Sequence, residues 1–273
     1  MAIITVSRQI ASYGDEVATE LATLMGYTFI NRKMLEQDLL KHGLTEEKLR
    51  KYDEKKPGFW ASLARDRDEY FDYLREAVYD RARAGNCVFI GRGGFAILKD
   101  VSGCYAVRLI APDQVRLERL MKEFSWNEKK AQALMQESDT NRNGFHKCFF
   151  NIDHDDPASY HLVLNTEHVS ARDAALIISH AVSHSIDEAE SSRGIVRIGE
   201  LLESQRIVNH IVFDLKIPVH FLEATIAGGE IVLHGVADSA SVIEKVLEVA
   251  RSMSQGKKVT SGISIVQDYK SYP

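Results

Sequence analysis

The chain has 273 residues, 45% hydrophobic and 27% charged, which is apolar enough to fill real cores and excludes wholesale disorder. Its formal net charge of -5, from 34 basic and 39 acidic residues, offers no positive field for a polynucleotide, and no apolar run approaches the roughly 18 to 20 residues a bilayer crossing needs. The opening MAIITVSRQ lacks a secretion signal and Cys87, Cys104 and Cys148 lack CxxC spacing, so the expectation is a cytoplasmic chain with reduced thiols and neither nucleic-acid nor integral membrane association.

The length exceeds a typical domain of about 100 to 200 residues, and two domains are expected. Ile3 to Val6 is a short β-branched run that reads as a buried strand. Asp15 to Met25 follows with Val17, Ala18, Leu21 and Ala22 at helical spacing, stopped by Gly26. Thr28 to Ile30, Cys87 to Ile90, Tyr105 to Ile110 and His161 to Leu164 supply four more strands, apolar on both faces, as a covered parallel sheet requires. A charged helical stretch from Met34 to Arg83 is broken at Lys56-Pro57-Gly58 and reads as a mobile cover. Ala111-Pro112 opens a helix, a charged helical region runs on to about Arg142, and Ser170 caps a helix from Ala171 to about Ser185. Residues 187 to 196 are polar and small and read as a linker. After it the order is helix, strand, strand, helix, strand, with Gly228-Gly229 as the hairpin turn.

A strand that runs through a tight loop into a helix is where phosphate binds, because free N–H groups and the helix dipole both face the anion. That segment here is Thr5-Val6-Ser7-Arg8-Gln9-Ile10-Ala11-Ser12-Tyr13-Gly14-Asp15. Against the phosphate-loop pattern GxxxxGK[ST], Arg8 falls at the first glycine, Tyr13 at the second, Gly14 at the lysine and Asp15 at the hydroxyl.

The segment Ser7-Arg8-Gln9-Ile10-Ala11-Ser12-Tyr13-Gly14 resembles the S-R-[EQ]-x-G-S-G-G loop of the cytidylate kinase-like family, a branch of the P-loop nucleoside monophosphate kinases. Further matches follow in order: Asn31-Arg32, the Asp53 to Pro57 break, Gly91-Arg92-Gly93, Val107 to Pro112, Asp139 to Arg142, and Asp155-Asp156-Pro157 leading to Thr166. The resemblance implies an α/β fold over 1–186, a five-stranded parallel sheet with helices on both faces, followed by the linker. It also implies ATP with Mg2+ and phosphoryl transfer to a nucleoside monophosphate, CMP by analogy. Carried over by position, Ser7, Arg8, Ala11, Ser12, Tyr13 and Gly14 bind phosphate, and Gly91 and Arg92 meet the acceptor. Arg119 and Arg142 belong to the lid, and Arg8, Arg142 and Asp139 serve catalysis, Asp139 orienting Arg142. Arginine suits such roles because its planar fork binds phosphate bidentately.

Two departures stand out. Ala11 and Tyr13 replace loop glycines, at a cost of order 1 kcal/mol where φ is positive. The lysine is absent, with Arg8 as the nearest substitute. Asp15 either holds magnesium or is a helix-start acid favoured by the dipole.

Other signals weigh less. His180 and His184 have chelating spacing but no third ligand, so no metal site is read. His154-Asp155-Asp156 reads as a turn ahead of Pro157. Cys148 reads as packing. Phe59, Trp60, Tyr70, Phe71 and Tyr73 are core or a stacking face for a base, and Arg116 and Arg119 stand between function and a solvated helix face.

Residues 197–273 resemble a BON domain, an αββαβ module, through Ala224 to Asp238 and the closing strand Val259 to Val266. That family binds ligands or proteins and is not catalytic. Two functions remain open: the kinase, or a binding protein that has lost turnover, senses a nucleotide or small anion, and signals to a protein partner through its BON-like half.

Overall fold

A computed structural model describes residues 1–52 and 65–266 of the chain. They form two compact units, Met1–Val196 and Arg197–Pro273. In the first, β1 (Ile3–Arg8), β2 (Thr28–Ile30), β3 (Cys87–Ile90), β4 (Cys104–Ile110) and β5 (Leu162–Asn165) form one parallel sheet in the order β2-β3-β1-β4-β5. The runs foreseen as the central strands β1, β3 and β4 are buried because both faces are covered, whereas the edge strands β2 and β5 are only partly buried. On one face, α1 (Gly14–Met25) and α8 (Ala171–Ser185) press Val17, Leu21, Ile178 and Val182 onto Ile4, Val88 and Val107. The order puts β1 at the centre, so its carboxyl end, where ligands gather in such sheets, is flanked by the ends of β3 and β4.

The charged stretch after β2 divides into α2 (Arg32–Lys41), α3 (Glu46–Tyr52) and α4 (Arg65–Ala82). The expected break at Lys56-Pro57-Gly58, with Phe59 and Trp60, lies outside the described residues, as does the Asp53 to Pro57 match. A further break at Gly43 (φ 106) separates α2 from α3. After β3 come α5 (Gly94–Ile97), then β4, α6 (Asp113–Phe124) and α7 (Glu128–Phe150). Helix α7 outruns its expected end at Arg142 by two turns and carries the aromatic patch from Phe145 onward, stopping at Asn151 in the left-handed conformation. The Cα atoms of Cys87 and Cys104 stand opposite Ile3 from either side, two strand spacings or roughly 9 to 10 Å apart, beyond disulfide reach.

The stretch 187–196 is not extended. Helix α9 (Glu188–Asn209) runs through it. Its start is a reciprocal capping box: Glu190 N–H donates to Asp187 Oδ1 at 2.6 Å and Asp187 N–H to Glu190 Oε2 at 3.1 Å. Its small residues serve close packing. Ser191 is buried and its hydroxyl reaches Met1 O, and a Cβ on Gly194 would overlap the Ser102 carbonyl.

The second unit takes the end of α9, then β6 (Val219–Ala227), β7 (Glu230–Ala237), α10 (Ala240–Met253) and β8 (Lys258–Ile265). The hairpin β6–β7 turns at Gly228-Gly229 (φ 60 and 79), and β8 returns parallel to β7, giving the order β6-β7-β8 and the expected αββαβ arrangement. Val242, Val246 and Ala250 of α10 close the core over Ile231 and Leu233.

Because no rotamer relieves a backbone overlap, Gly194→Ala is expected to lower unfolding stability by about 1 to 3 kcal/mol, read from urea denaturation. Unchanged stability would return 187–196 to a linker.

Candidate functional site

The loop between β1 and α1 takes a left-handed path without glycines at its two turning points. Ala11 (φ 58) and Tyr13 (φ 62) both occupy the left-handed region, and Tyr13 is the N-cap of α1. The contacts that hold them there are specific. Ser12 Oγ donates to Gln9 O at 2.9 Å and Leu109 O at 3.1 Å, and Ala111 N–H donates to Gln9 Oε1 at 3.1 Å. Arg119 donates to Ala11 O at 3.1 Å and to Thr166 O at 2.6 Å, while its guanidinium lies 3.8 Å from the centre of the Tyr13 ring. A cation over an aromatic face contributes roughly 0.5 to 2 kcal/mol, enough to offset the strain at Tyr13. The ring therefore lies under Arg119 and against the core around β1.

Gly14, at the lysine position, has a steric reason. A Cβ there would overlap Arg8 Cγ, because the Arg8 side chain crosses the first turn of α1. Beside this loop opens a cleft of about 380 Å³. Arg8, Arg119 and Arg142 bring positive charge to it, and Asp15, Glu16 and Glu123 stand at its border. Arg142 reaches back from α7 and donates to Arg8 O at 3.0 Å.

A second space, about 10 Å³ and enclosed, lies at the ends of β1 and β3. Arg8 and Arg142 line both spaces and form the wall between them. Thr5 and Ser7 face the enclosed space from β1, being two apart on a strand. Ser7 is opposite Arg108 in the β1–β4 register. His154 completes this cluster: its Nε2 is 2.8 Å from Ser7 Oγ, and Arg108 Nη1 lies 2.9 Å from its Nδ1 and 3.0 Å from its Nε2. Arg108 also pairs with Asp155, Tyr160 OH donates to His154 O at 3.0 Å, and the His146 ring stacks on His154 at 4.2 Å. Burial first, then the charges of His146, Arg108, Arg142 and Arg8, push the His154 pKa far below its ordinary value. The imidazole is neutral.

Sequence reasoning gave His154 only a turn. The Asx bonds are there, with Asp155 N–H donating to Asp153 Oδ1 and Ala158 N–H to Asp156 Oδ1, but they serve to aim His154 inward. Arg108 received no role. Its signal was a lone charge inside the apolar run Val107-Arg108-Leu109.

Asp139 does not orient Arg142. It accepts from Arg116 Nη1 at 3.2 Å and Nη2 at 3.0 Å, because on α7 it faces α6. Burial opposes charge on Arg116, yet the hydrogen bonds it donates to Asp139 and Asp113 hold its pKa above the usual value. Arg116 is 2% exposed and ties α6 to α7, so neither it nor the loop-bound Arg119 is a solvated helix residue.

Gly91 (φ 75), Arg92 (φ 55) and Gly93 (φ 67) form a left-handed turn after β3. A Cβ on Gly93 would overlap the Phe150 ring from the end of α7. Arg92 is fully buried and donates to Glu36 Oε1 at 2.6 Å and Tyr70 OH at 2.7 Å, linking α2 and α4 to the strand end. Tyr70 and Tyr73 are core. Burial pushes the Cys87 and Cys104 thiols up to about 12 and also raises Cys148. Among the described residues no group of three or more His, Cys, Asp or Glu is placed to hold a metal ion, and no helix is long and apolar enough to cross a membrane.

Comparison with known proteins gives two family matches: residues 3–168 match the model of the cytidylate kinase-like family, and residues 204–267 that of the BON domain. A cytidylate kinase from Pyrobaculum islandicum is 27% identical over 179 residues, covering 65% of this chain and 90% of that protein. An uncharacterized protein from Eubacterium ventriosum superposes with a TM-score of 0.53 at 18% identity, covering 67% of this chain and 99% of its own. A shikimate kinase from Acinetobacter baumannii matches at 18% identity with a TM-score of 0.36, over 68% and 96% of the two chains. The Eubacterium ventriosum likeness shows the fold alone.

Two outcomes follow from this geometry. Ala11→Gly relieves left-handed strain of about 1 to 2 kcal/mol against an unfolded-state entropy cost of about 0.4 to 1 kcal/mol. Thermal melts should show equal or slightly higher stability, and a clear loss would deny the left-handed loop. For His154 the folded pKa lies below the unfolded value of about 6.5. Stability is therefore complete above that pH and declines below it, by at most about 1.4 kcal/mol per pH unit from this group. Urea unfolding at pH 7.5, 6.5 and 5.5 checks this, with the slope reduced in His154→Gln; equal slopes would contradict it.

Proposed function

Because the chain belongs to the cytidylate kinase-like family over residues 3–168, we propose that it seats the phosphates of ATP in the cleft beside the β1–α1 loop and transfers the terminal phosphoryl group to a nucleoside monophosphate. CMP is the acceptor by family analogy. The observation that carries this reading is the shared wall: Arg8 and Arg142 line both the open cleft and the enclosed space at the strand ends. Phosphoryl transfer needs a donor site and an acceptor site that meet at positive charge, and little covalent chemistry from the protein.

In this reading the loop N–H groups and the start of α1 receive the donor phosphates, and Arg8 takes over the charge of the missing lysine. Arg142 couples α7 to the loop through Arg8 O, so closure of α7 and alignment of the phosphates are one event. Arg119 holds the loop in shape and Asp139 fixes α6 against α7 through Arg116, both as positioning residues. Arg92 braces the acceptor side through Glu36 and Tyr70. Asp15 at the border of the cleft would supply a hard carboxylate oxygen to the Mg2+ that accompanies ATP, beside the phosphate oxygens. The ion's contribution is to neutralise phosphate charge.

A second reading is supported by Gly14 and Asp15 standing where a lysine and a hydroxyl belong, and by the narrowness of the enclosed space. In it the chain binds nucleotide without turnover and passes that state to a protein partner through its BON-like unit.

A coupled assay with ATP, Mg2+ and a panel of CMP, dCMP, UMP and AMP separates the two. ADP formed with CMP supports the kinase. Calorimetric ATP binding without ADP from any acceptor supports the sensor, and absence of ATP binding removes both. Arg8→Ala is expected to weaken ATP about 10- to 100-fold, the equivalent of one hydrogen-bonded charge contact.

A further inference from the structure

Arg108 is 2% exposed on a strand buried in the sheet, yet the group facing its Nη1 is an imidazole that carries no charge. Its one carboxylate partner among the described residues, Asp155, is half exposed on the loop after α7. A buried guanidinium needs a matching anion to offset its desolvation, and a neutral ring supplies only a lone pair. Beside it, Thr5 is 3% exposed, lines the enclosed space, and its Oγ1 has no hydrogen-bond partner among the described residues. A buried hydroxyl without a partner costs about 1 to 3 kcal/mol. Ser7 Oγ, two residues on and on the same face, is engaged by the same imidazole. Ser7 and Arg108 thus meet at the His154 ring from adjacent strands, and Thr5 and Ser7 line the space beside that ring, with Arg8 and Arg142 closing it toward the ATP cleft.

We infer that this point is the seat of a phosphate group, held by Thr5, Ser7 and Arg108, and that the His154 ring keeps the seat and turns aside to admit it. The enclosed volume of about 10 Å³ takes one water-sized group, so a phosphate requires the volume of the ring as well. The ring is carried by the loop that follows α7, where Asp155, its neighbour, is exposed, and in turning aside it would give up to the phosphate the bonds it makes to Ser7 and Arg108. The inference rests on the kinase-like reading in one respect, that the phosphate belongs to the acceptor; free inorganic phosphate satisfies the same groups. The seat is distinct from Arg92, whose guanidinium is engaged with Glu36 and Tyr70.

The test is histidine-ring ¹⁵N NMR on the full chain, with calorimetry on the same samples. Inorganic phosphate is expected to shift the His154 ring signals, CMP to do so at a concentration at least tenfold lower, and cytidine to leave them unmoved. A phosphate shift without a CMP shift retains the seat and assigns it to free phosphate. Ser7→Ala, a small change, should weaken phosphate and CMP roughly tenfold. His154 signals unmoved by both ligands, or phosphate binding unchanged in Ser7→Ala, would overturn the inference. Calorimetric ATP binding reports separately on the phosphate loop, so loss of the seat and loss of the nucleotide reading are distinguishable results.

Discussion

The first unit depends on one constraint: the chain leaving β1 must turn through two left-handed residues to start α1, and neither is glycine. Ala11 and Tyr13 can hold that shape only because neighbours over-determine it, chiefly Arg119 on the Ala11 carbonyl and the Tyr13 face and Ser12 on the Gln9 and Leu109 carbonyls. The outcome is a loop whose strain is offset from α6 and β4 and not from within itself. It also explains the order of the sheet as seen from the site, since β1 must be central for β4 to reach the loop at all.

The same turn settles the electrostatics. With Gly14 at the start of α1, the Arg8 side chain lies across the place a lysine side chain would leave. Arg142 then bonds the Arg8 carbonyl, and these two guanidinium groups with Arg108 surround a buried imidazole that stays neutral. Positive charge is concentrated at the carboxyl end of β1 in a chain whose net charge is -5. Local placement, not composition, makes the site.

Five strands, the parallel sheet and the αββαβ unit were legible because β-branched runs and helical spacing are local signals that burial reinforces. The glycine-to-Ala11 and glycine-to-Tyr13 replacements were legible as strain, and the backbone carries it at both positions. What was hidden depended on partners far away in sequence. Asp139 looked like a companion of Arg142 three residues on, but α6 offered it Arg116. His154 looked like a turn because its neighbours make one, and its role emerges only when Ser7 and Arg108 arrive from two strands. Residues 187–196 were misread for a different reason. Asp187 and Glu190 form a capping box visible in sequence, but small and polar composition outweighed it, and the close packing that demands Ser191 and Gly194 is a tertiary fact.

In the kinase reading, Arg8 of the preceding strand standing in for a lysine changes what the loop can do. A lysine from the helix start places one compact charge on the terminal phosphates, whereas an arginine reaching over from the strand end presents a planar fork that prefers two oxygens at once. Such a fork favours binding of a phosphate pair in its ground state as much as the transferring group. Only an interaction stronger in the transition state accelerates the step. In the kinase reading proposed above, the rate enhancement then rests on Arg142, the guanidinium of the shared wall that is carried on a helix and not on the sheet.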